Sequence, residues 1–169
     1  VSGELPAAVA KQLLEVAQAH QLTPFMLLHG ALSLLLSRHS NGHDIVIGTP
    51  IANRLQAELA PLIGFFVNTL VLRVDTNHDS LSDYLGQIRQ VHLDAQSNQD
   101  VPFEQLVERL KAPRSTAHSP LFQIMMTMNS DYGLEESADI AAFALPGVDI
   151  EPYSSDLIQQ KFDLNVDLS

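Results

Sequence analysis

Residues Phe25 to Leu36 constrain this chain more than any other stretch. Thr23-Pro24 opens a helix there, with Thr as N-cap and Pro at the first helical position, where its missing N–H costs nothing. Over Pro24 to His39 the apolar side chains (Phe25, Met26, Leu27, Leu28, Leu32, Leu34, Leu35, Leu36) fall on nearly all sides of the helix. Such a helix has to be central and buried, covered from several directions at once. His29, Gly30 and Ser33 interrupt it, and the run is too short to cross a bilayer.

The covering layers are legible in the flanking sequence. A helix is expected from Leu5 to His20, capped by Ser2 with Glu4 in its first turn and Leu13, Leu14 and Ala17 as its stripe. Ser80 caps another, Leu81 to about Asn98, with Leu81, Leu85, Ile88, His92 and Ala95 at helical spacing. A short amphipathic helix starts at Pro102 (Phe103, Leu106, Val107, Leu110) and ends at Pro113. Ile45 to Ile47 reads as a buried strand, and Pro50 should end its pairing. Phe65 to Val74 is apolar on both faces, which predicts a strand covered on both sides. Further strands are expected at Leu121 to Met128, Val148 to Pro152 and Lys161 to Leu168. In the last, Phe162, Leu164, Val166 and Leu168 point inward. This order gives an α/β fold, a mixed sheet with helices packed on it.

Composition removes several function classes. The 169 residues are 46% apolar, enough for a sizeable core, and only 17% charged, which argues against disorder. The net charge of −11 and the lack of a basic stripe exclude nucleic acid as a partner. There is no cysteine, hence no disulfide, thiolate nucleophile or Cys-ligated zinc. With neither a secretory signal nor a membrane span, the expected location is the cytoplasm, and no membrane partner is expected.

The catalytic inventory is thin. None of the seven histidines forms a pair at metal spacing on one helix face, so no metal site is expected. His29, within the buried helix, reads as a core histidine with one hydrogen-bonded ring nitrogen. Asp100 with Glu104 reads as a helix start rather than a paired acid and base. Two polar residues interrupt an apolar strand: Asn68, on the face of Phe66 and Leu70, and Arg73, at the end of the other face. A buried amide needs partners, so Asn68 either pairs with nearby backbone or lines a binding tunnel.

Motifs narrow the choice. Ile63-Gly64-Phe65-Phe66-Val67-Asn68-Thr69-Leu70, followed by Leu72-Arg73, resembles the Ile-Gly-x-Phe-Val-Asn-Thr signature of condensation domains of nonribosomal peptide synthetases. Asn98-Gln99-Asp100-Val101-Pro102-Phe103-Glu104 is similar to their His-Gln-Asp-x-Pro-Phe-Glu motif, with Asn98 replacing the usual His. Ser119-Pro120-Leu121-Phe122-Gln123-Ile124-Met125, Asp44 to Pro50 and Lys161 to Leu164 also match in order. The resemblance covers nearly the whole chain. It implies a lobe like that of chloramphenicol acetyltransferase, and a reaction in which an amine attacks a carrier-bound aminoacyl or peptidyl thioester.

That family centres its catalysis on a His-His-x-x-x-Asp-Gly motif in an N-terminal lobe, and this sequence has no adjacent His pair. Residues 1–169 are therefore expected to form the C-terminal lobe, cut at both ends and inactive alone, with no catalytic residue of its own. The last strand still alternates where the chain stops, which fits a cut. The resemblance places Asn68 at the substrate tunnel, as a donor near the reacting carbonyl or the pantetheine. It gives Gly64, Arg73, Asp100, Pro102 and Phe103 structural roles. No bound cofactor is implied, only the phosphopantetheine arms of carrier proteins. The implied partners are the N-terminal condensation lobe, peptidyl carrier proteins and an adjacent adenylation domain. A lobe cut from its partner should expose apolar surface and self-associate. Competing readings are an epimerization-domain lobe, disfavoured by the lack of Trp, a heterocyclization domain, a docking module for carrier or partner domains, and an unrelated CoA-dependent acyltransferase.

Overall fold

The computed structural model describes residues 2–54, 56–113, 118–128 and 161–169. Its elements are α1 (Ala7–Ala19), α2 (Pro24–Ser40), β1 (Asp44–Ile51), β2 (Asn68–Asp75), α3 (Leu81–Ser97), α4 (Phe103–Arg109), β3 (Ile124–Met128) and β4 (Leu164–Leu168). The strands form one mixed sheet in the order β2-β1-β3-β4. β1 is antiparallel to β2 and parallel to β3, and β3 is parallel to β4.

α2 is the central helix. On one side Phe25, Leu28, Leu32 and Leu36 pack over Ile45 and Ile47 of β1 and Met126 of β3. On the other, Met26 and Leu27 join Ala17 of α1 and Tyr84, Leu85 and Ile88 of α3. The helix starts where Thr23 and Pro24 place it, since the Thr23 hydroxyl accepts the Met26 N–H at 3.2 Å. Asn41 ends it in the left-handed conformation. Burial is less even than its leucines suggest: Leu35 is exposed, while His29, Gly30, Ser33 and Ser37 are buried. Small residues lie where α3 comes closest. A Cβ on Gly30 would lie 3.2 Å from Ile88 Cγ1, and the Tyr84 hydroxyl donates to the Gly30 carbonyl at 2.7 Å. Burial pushes the Tyr84 phenol up to about 12.

Several expectations change. α1 begins after Pro6, which precedes it without any side-chain cap, so Ser2 and Leu5 lie outside the helix. Proline's fixed φ sets that start instead. Pro50 does not end β1: it sits inside the strand opposite Thr69. β3 registers with β1 only at Gly48–Met125, so no described ladder on that side needs the N–H that Pro50 lacks. β2 begins at Asn68 rather than Phe65, and Phe65 is 91% exposed. Leu70, Leu72 and Val74 are buried on the helix side, whereas Arg73 on the opposite face is open, so among the described residues β2 is fully covered on its helix face alone. Leu81 and Leu110 are exposed despite their helical spacing. Leu121 precedes β3, with φ of 70°. In β4 the alternation holds, but Leu164 is exposed and Val166 and Leu168 are half-buried. The loop at Asp131 to Glu136 and the strand expected at Val148 to Pro152 lie outside the described residues.

Among the described residues, Phe122 covers the second face of the sheet. Gly48 has the parity opposite to Ile45 and Ile47, and a Cβ there would lie 2.3 Å from the Phe122 ring. Phe122 therefore lies directly on the β1 backbone. It stacks on Phe162 (5.4 Å) and meets Phe103 edge-on (5.6 Å), tying the starts of α4 and β4 to the sheet.

Candidate functional site

The end of the sheet where β1 and β3 finish and β2 begins holds most of the polar residues singled out above. Asn68, the first residue of β2, faces the helix layer. Its Nδ2 donates to the Gln99 and Val101 carbonyls, both at 2.8 Å, and its Oδ1 accepts the Phe103 N–H at 3.1 Å. The side chain thus binds the connection between α3 and α4 at three points. An amide has two N–H donors, and both are used, so none is left for a developing oxyanion.

The same connection bounds a cleft of about 410 Å³. Gln96, Gln99, His92 and Thr49 give it a polar wall; Phe25, Ile51, Leu70 and Met128 give it an apolar one. It lies between the sheet and the helix layer, at the carboxyl ends of the parallel strands β1 and β3.

His92 of that wall belongs to a buried histidine pair, with His29 behind it. His92 Nε2 is 3.1 Å from His29 Nδ1, with ring planes 82° apart, and the Phe25 ring meets His92 edge-on at 5.6 Å. His29 is the expected core histidine with one hydrogen-bonded nitrogen; its Nε2 is buried without a partner. Burial, helped by the neighbouring His92 charge, lowers His29 to about 3, and burial lowers His92 to about 4. Both rings are neutral at pH 7. The sequence did not bring the two together, because a search at fixed spacing on one helix face does not find a pair made across α2 and α3. The available signal was a His at an apolar-stripe position on each helix.

The remaining motif residues are structural in their contacts. Arg73 makes a bidentate pair with Asp44, both bonds 2.8 Å, diagonally across β1 and β2 on the open face. The Arg73 guanidinium holds Asp44 below the usual carboxylate range. Pro102 caps α4, Glu104 lies in its first turn, and Asp100 is exposed in the turn before it. A Cβ on Gly64 would lie 3.0 Å from the Phe66 ring. Arg54, which sequence reasoning passed over, organises this segment. It donates to the carbonyls of Leu59, Leu62 and Gly64, and its guanidinium lies 4.2 Å from the centre of the Phe66 ring. Among the described residues no group of three His, Cys, Asp or Glu side chains is placed to hold a metal, and no helix is long and apolar enough to cross a membrane.

The Condensation domain family matches residues 1–169, the whole chain. The chain belongs to the condensation-domain family. Among curated relatives, the isonitrile lipopeptide synthase of Mycobacterium tuberculosis is 43% identical over 155 residues, which is 90% of this chain and 6% of that protein. The dimodular nonribosomal peptide synthase of Bacillus subtilis is 42% identical over 160 residues, 94% of this chain and 6% of that protein. The chain therefore spans a small part of the relatives it matches.

Solved condensation-domain structures agree on the fold. A four-domain nonribosomal peptide synthetase bound to AMP and glycine matches with a TM-score of 0.75 and 28% identity, over 80% of this chain and 10% of that one. The condensation domain of the monacolin K polyketide synthase matches with a TM-score of 0.67 and 27% identity, over 75% of this chain and 30% of that one. The fold is the chloramphenicol-acetyltransferase-like one expected from the motifs, a mixed sheet with packed helices.

Proposed function

We propose that this chain is the C-terminal lobe of a condensation domain that joins carrier-bound aminoacyl or peptidyl thioesters into amides, and that it is inactive without an N-terminal lobe. The observation that carries this reading is a whole-chain family match in a sequence that lacks an adjacent His pair. The His-His-x-x-x-Asp-Gly motif then lies on other polypeptide, and its histidine deprotonates or positions the attacking amine. This lobe supplies a wall of the substrate tunnel. Asn68 contributes to that wall by fixing the 99–103 connection, since both its amide donors go to backbone carbonyls. The phosphopantetheine arms belong to carrier proteins, and an adenylation domain adjoins the lobe in the parent synthetase. Replacing the second His of the upstream motif with Ala in that parent should abolish amide formation while thioester loading continues. Undiminished amide formation would overturn the reading.

A docking role is the second reading, because the X-domain solved in complex with OxyB from teicoplanin biosynthesis matches this chain with a TM-score of 0.69. Ile63 and Phe65, fully and almost fully exposed, offer apolar contact surface for a partner lobe or a second copy of the chain. Self-association of the isolated chain follows, and a monodisperse monomer in concentrated solution by light scattering would count against it.

A further inference from the structure

The cleft at the carboxyl ends of β1 and β3 has a polar wall with no charge on it. Among the described residues that line it, none is Asp, Glu, Lys or Arg, and its one titratable member, His92, is neutral at pH 7. A charged ligand entering it would lose its hydration without gaining an opposite charge. An uncharged one with amide or carbonyl groups would meet Gln96, Gln99, Thr49 and His92 on one side, and Phe25 and Leu70 on the other. The volume of about 410 Å³ suits a small molecule or acyl chain. The position does too, since ligands of open α/β sheets bind at the carboxyl ends of the strands.

The histidine pair explains why a polar group is buried behind this wall, where apolar packing would be less costly. One of His29 Nδ1 and His92 Nε2 donates to the other across 3.1 Å. Were the His29 proton on Nε2, a buried N–H would have no partner; on Nδ1, only a lone pair is left unpaired. The assignment is therefore His29 Nδ1–H donating to His92 Nε2. This fixes the His92 proton on Nδ1, which makes no hydrogen bond among the described residues. The residue that lines the cleft thus holds an unspent donor, and the residue behind it sets its tautomer.

We propose that this cleft binds an uncharged, amide-bearing acyl group, that His92 is its hydrogen-bond donor, and that His29 is the positioning residue for His92. This deepens the reading above, because the amide-linked end of a peptidyl chain is such a group, whereas an aminoacyl group with its free α-amine is not. The test uses the chain joined to its N-terminal lobe, with 15N-labelled histidine, titrated with N-acetyl-leucine methylamide and with N-acetylglutamate as the charged counterpart. Before addition, both His29 and His92 should show the proton on Nδ1. The neutral probe should shift the His92 Nδ1 signal and bind about tenfold more tightly than the carboxylate, and His92→Phe should weaken it by about tenfold. Gln96→Lys, at an exposed position, should narrow the preference between the two probes. Equal binding of the two probes, an unmoved His92 signal, or full affinity in His92→Phe would overturn the proposal. Loss of probe binding with intact amide formation rejects the pocket alone. Probe binding without amide formation rejects the proposed reaction alone.

Discussion

The side-chain oxygen of Asn68 accepts the backbone N–H of Phe103 at 3.1 Å, so the first residue of β2 holds the first residue of α4. The same amide holds Gln99 and Val101 through its two donors. One side chain thereby fixes the connection that closes the cleft, and it is the polar residue that most visibly breaks an apolar strand.

Asn68→Asp is predicted to be worse than its small change in shape implies. It removes both donors and sets a carboxylate against two carbonyl oxygens. A loss of about 3 kcal/mol is expected in urea unfolding, with amide exchange speeding up first in residues 99–103. Unchanged exchange there would show that the connection is held by something else.

Acid should unfold the chain partly through His29 and His92. Their folded values, about 3 and about 4, lie below the ordinary 6.5, so the unfolded state takes up protons first. Their contribution is whole above pH 6.5 and is lost as the pH falls, down to about 4 for His92 and about 3 for His29. By pH 5 each accounts for about 2 kcal/mol. Urea midpoints at pH 7.5 and pH 5 should therefore differ more in the wild type than in a His29→Leu/His92→Phe double variant. Equal differences would contradict the buried neutral pair.

Gly48→Ala should cost about 3 kcal/mol, because the new methyl would lie 2.3 Å from the Phe122 ring, itself buried between Phe103 and Phe162. Adding Phe122→Leu should recover part of that loss in urea unfolding. No recovery would mean that the clash is with something other than the ring.

Arg54→Ala should loosen residues 56–67 and barely alter the global unfolding midpoint, since this segment is largely exposed. Faster deuterium uptake in that segment is the readout. Arg54→Lys should not restore protection, because a single ammonium cannot reproduce a planar fork shared among the Leu59, Leu62 and Gly64 carbonyls.

Local chemistry made much of this molecule readable in advance. Thr23-Pro24 and Ser80 mark the starts of α2 and α3 because their hydroxyls accept helix N–H groups, and both do so here. The central place of α2 follows from apolar residues that need two layers to cover them. Other features depend on contacts that no local pattern encodes. Phe65 and Val67 look like strand residues, yet they are exposed, because apolar character does not reveal what covers a residue. Pro50 stays within β1 because of which neighbour pairs on which side. At the site, Asn68 was legible as a polar break in an apolar face. The His29–His92 pair was not, because it forms only when two helices meet.

Whether this chain needs a partner lobe for chemistry is decided by amide formation from donor and acceptor aminoacyl carrier proteins. The assay compares this chain alone with the chain rejoined to an N-terminal lobe bearing the His-His-x-x-x-Asp-Gly motif. Product is predicted only from the rejoined polypeptide. Product from the chain alone would contradict the half-domain reading.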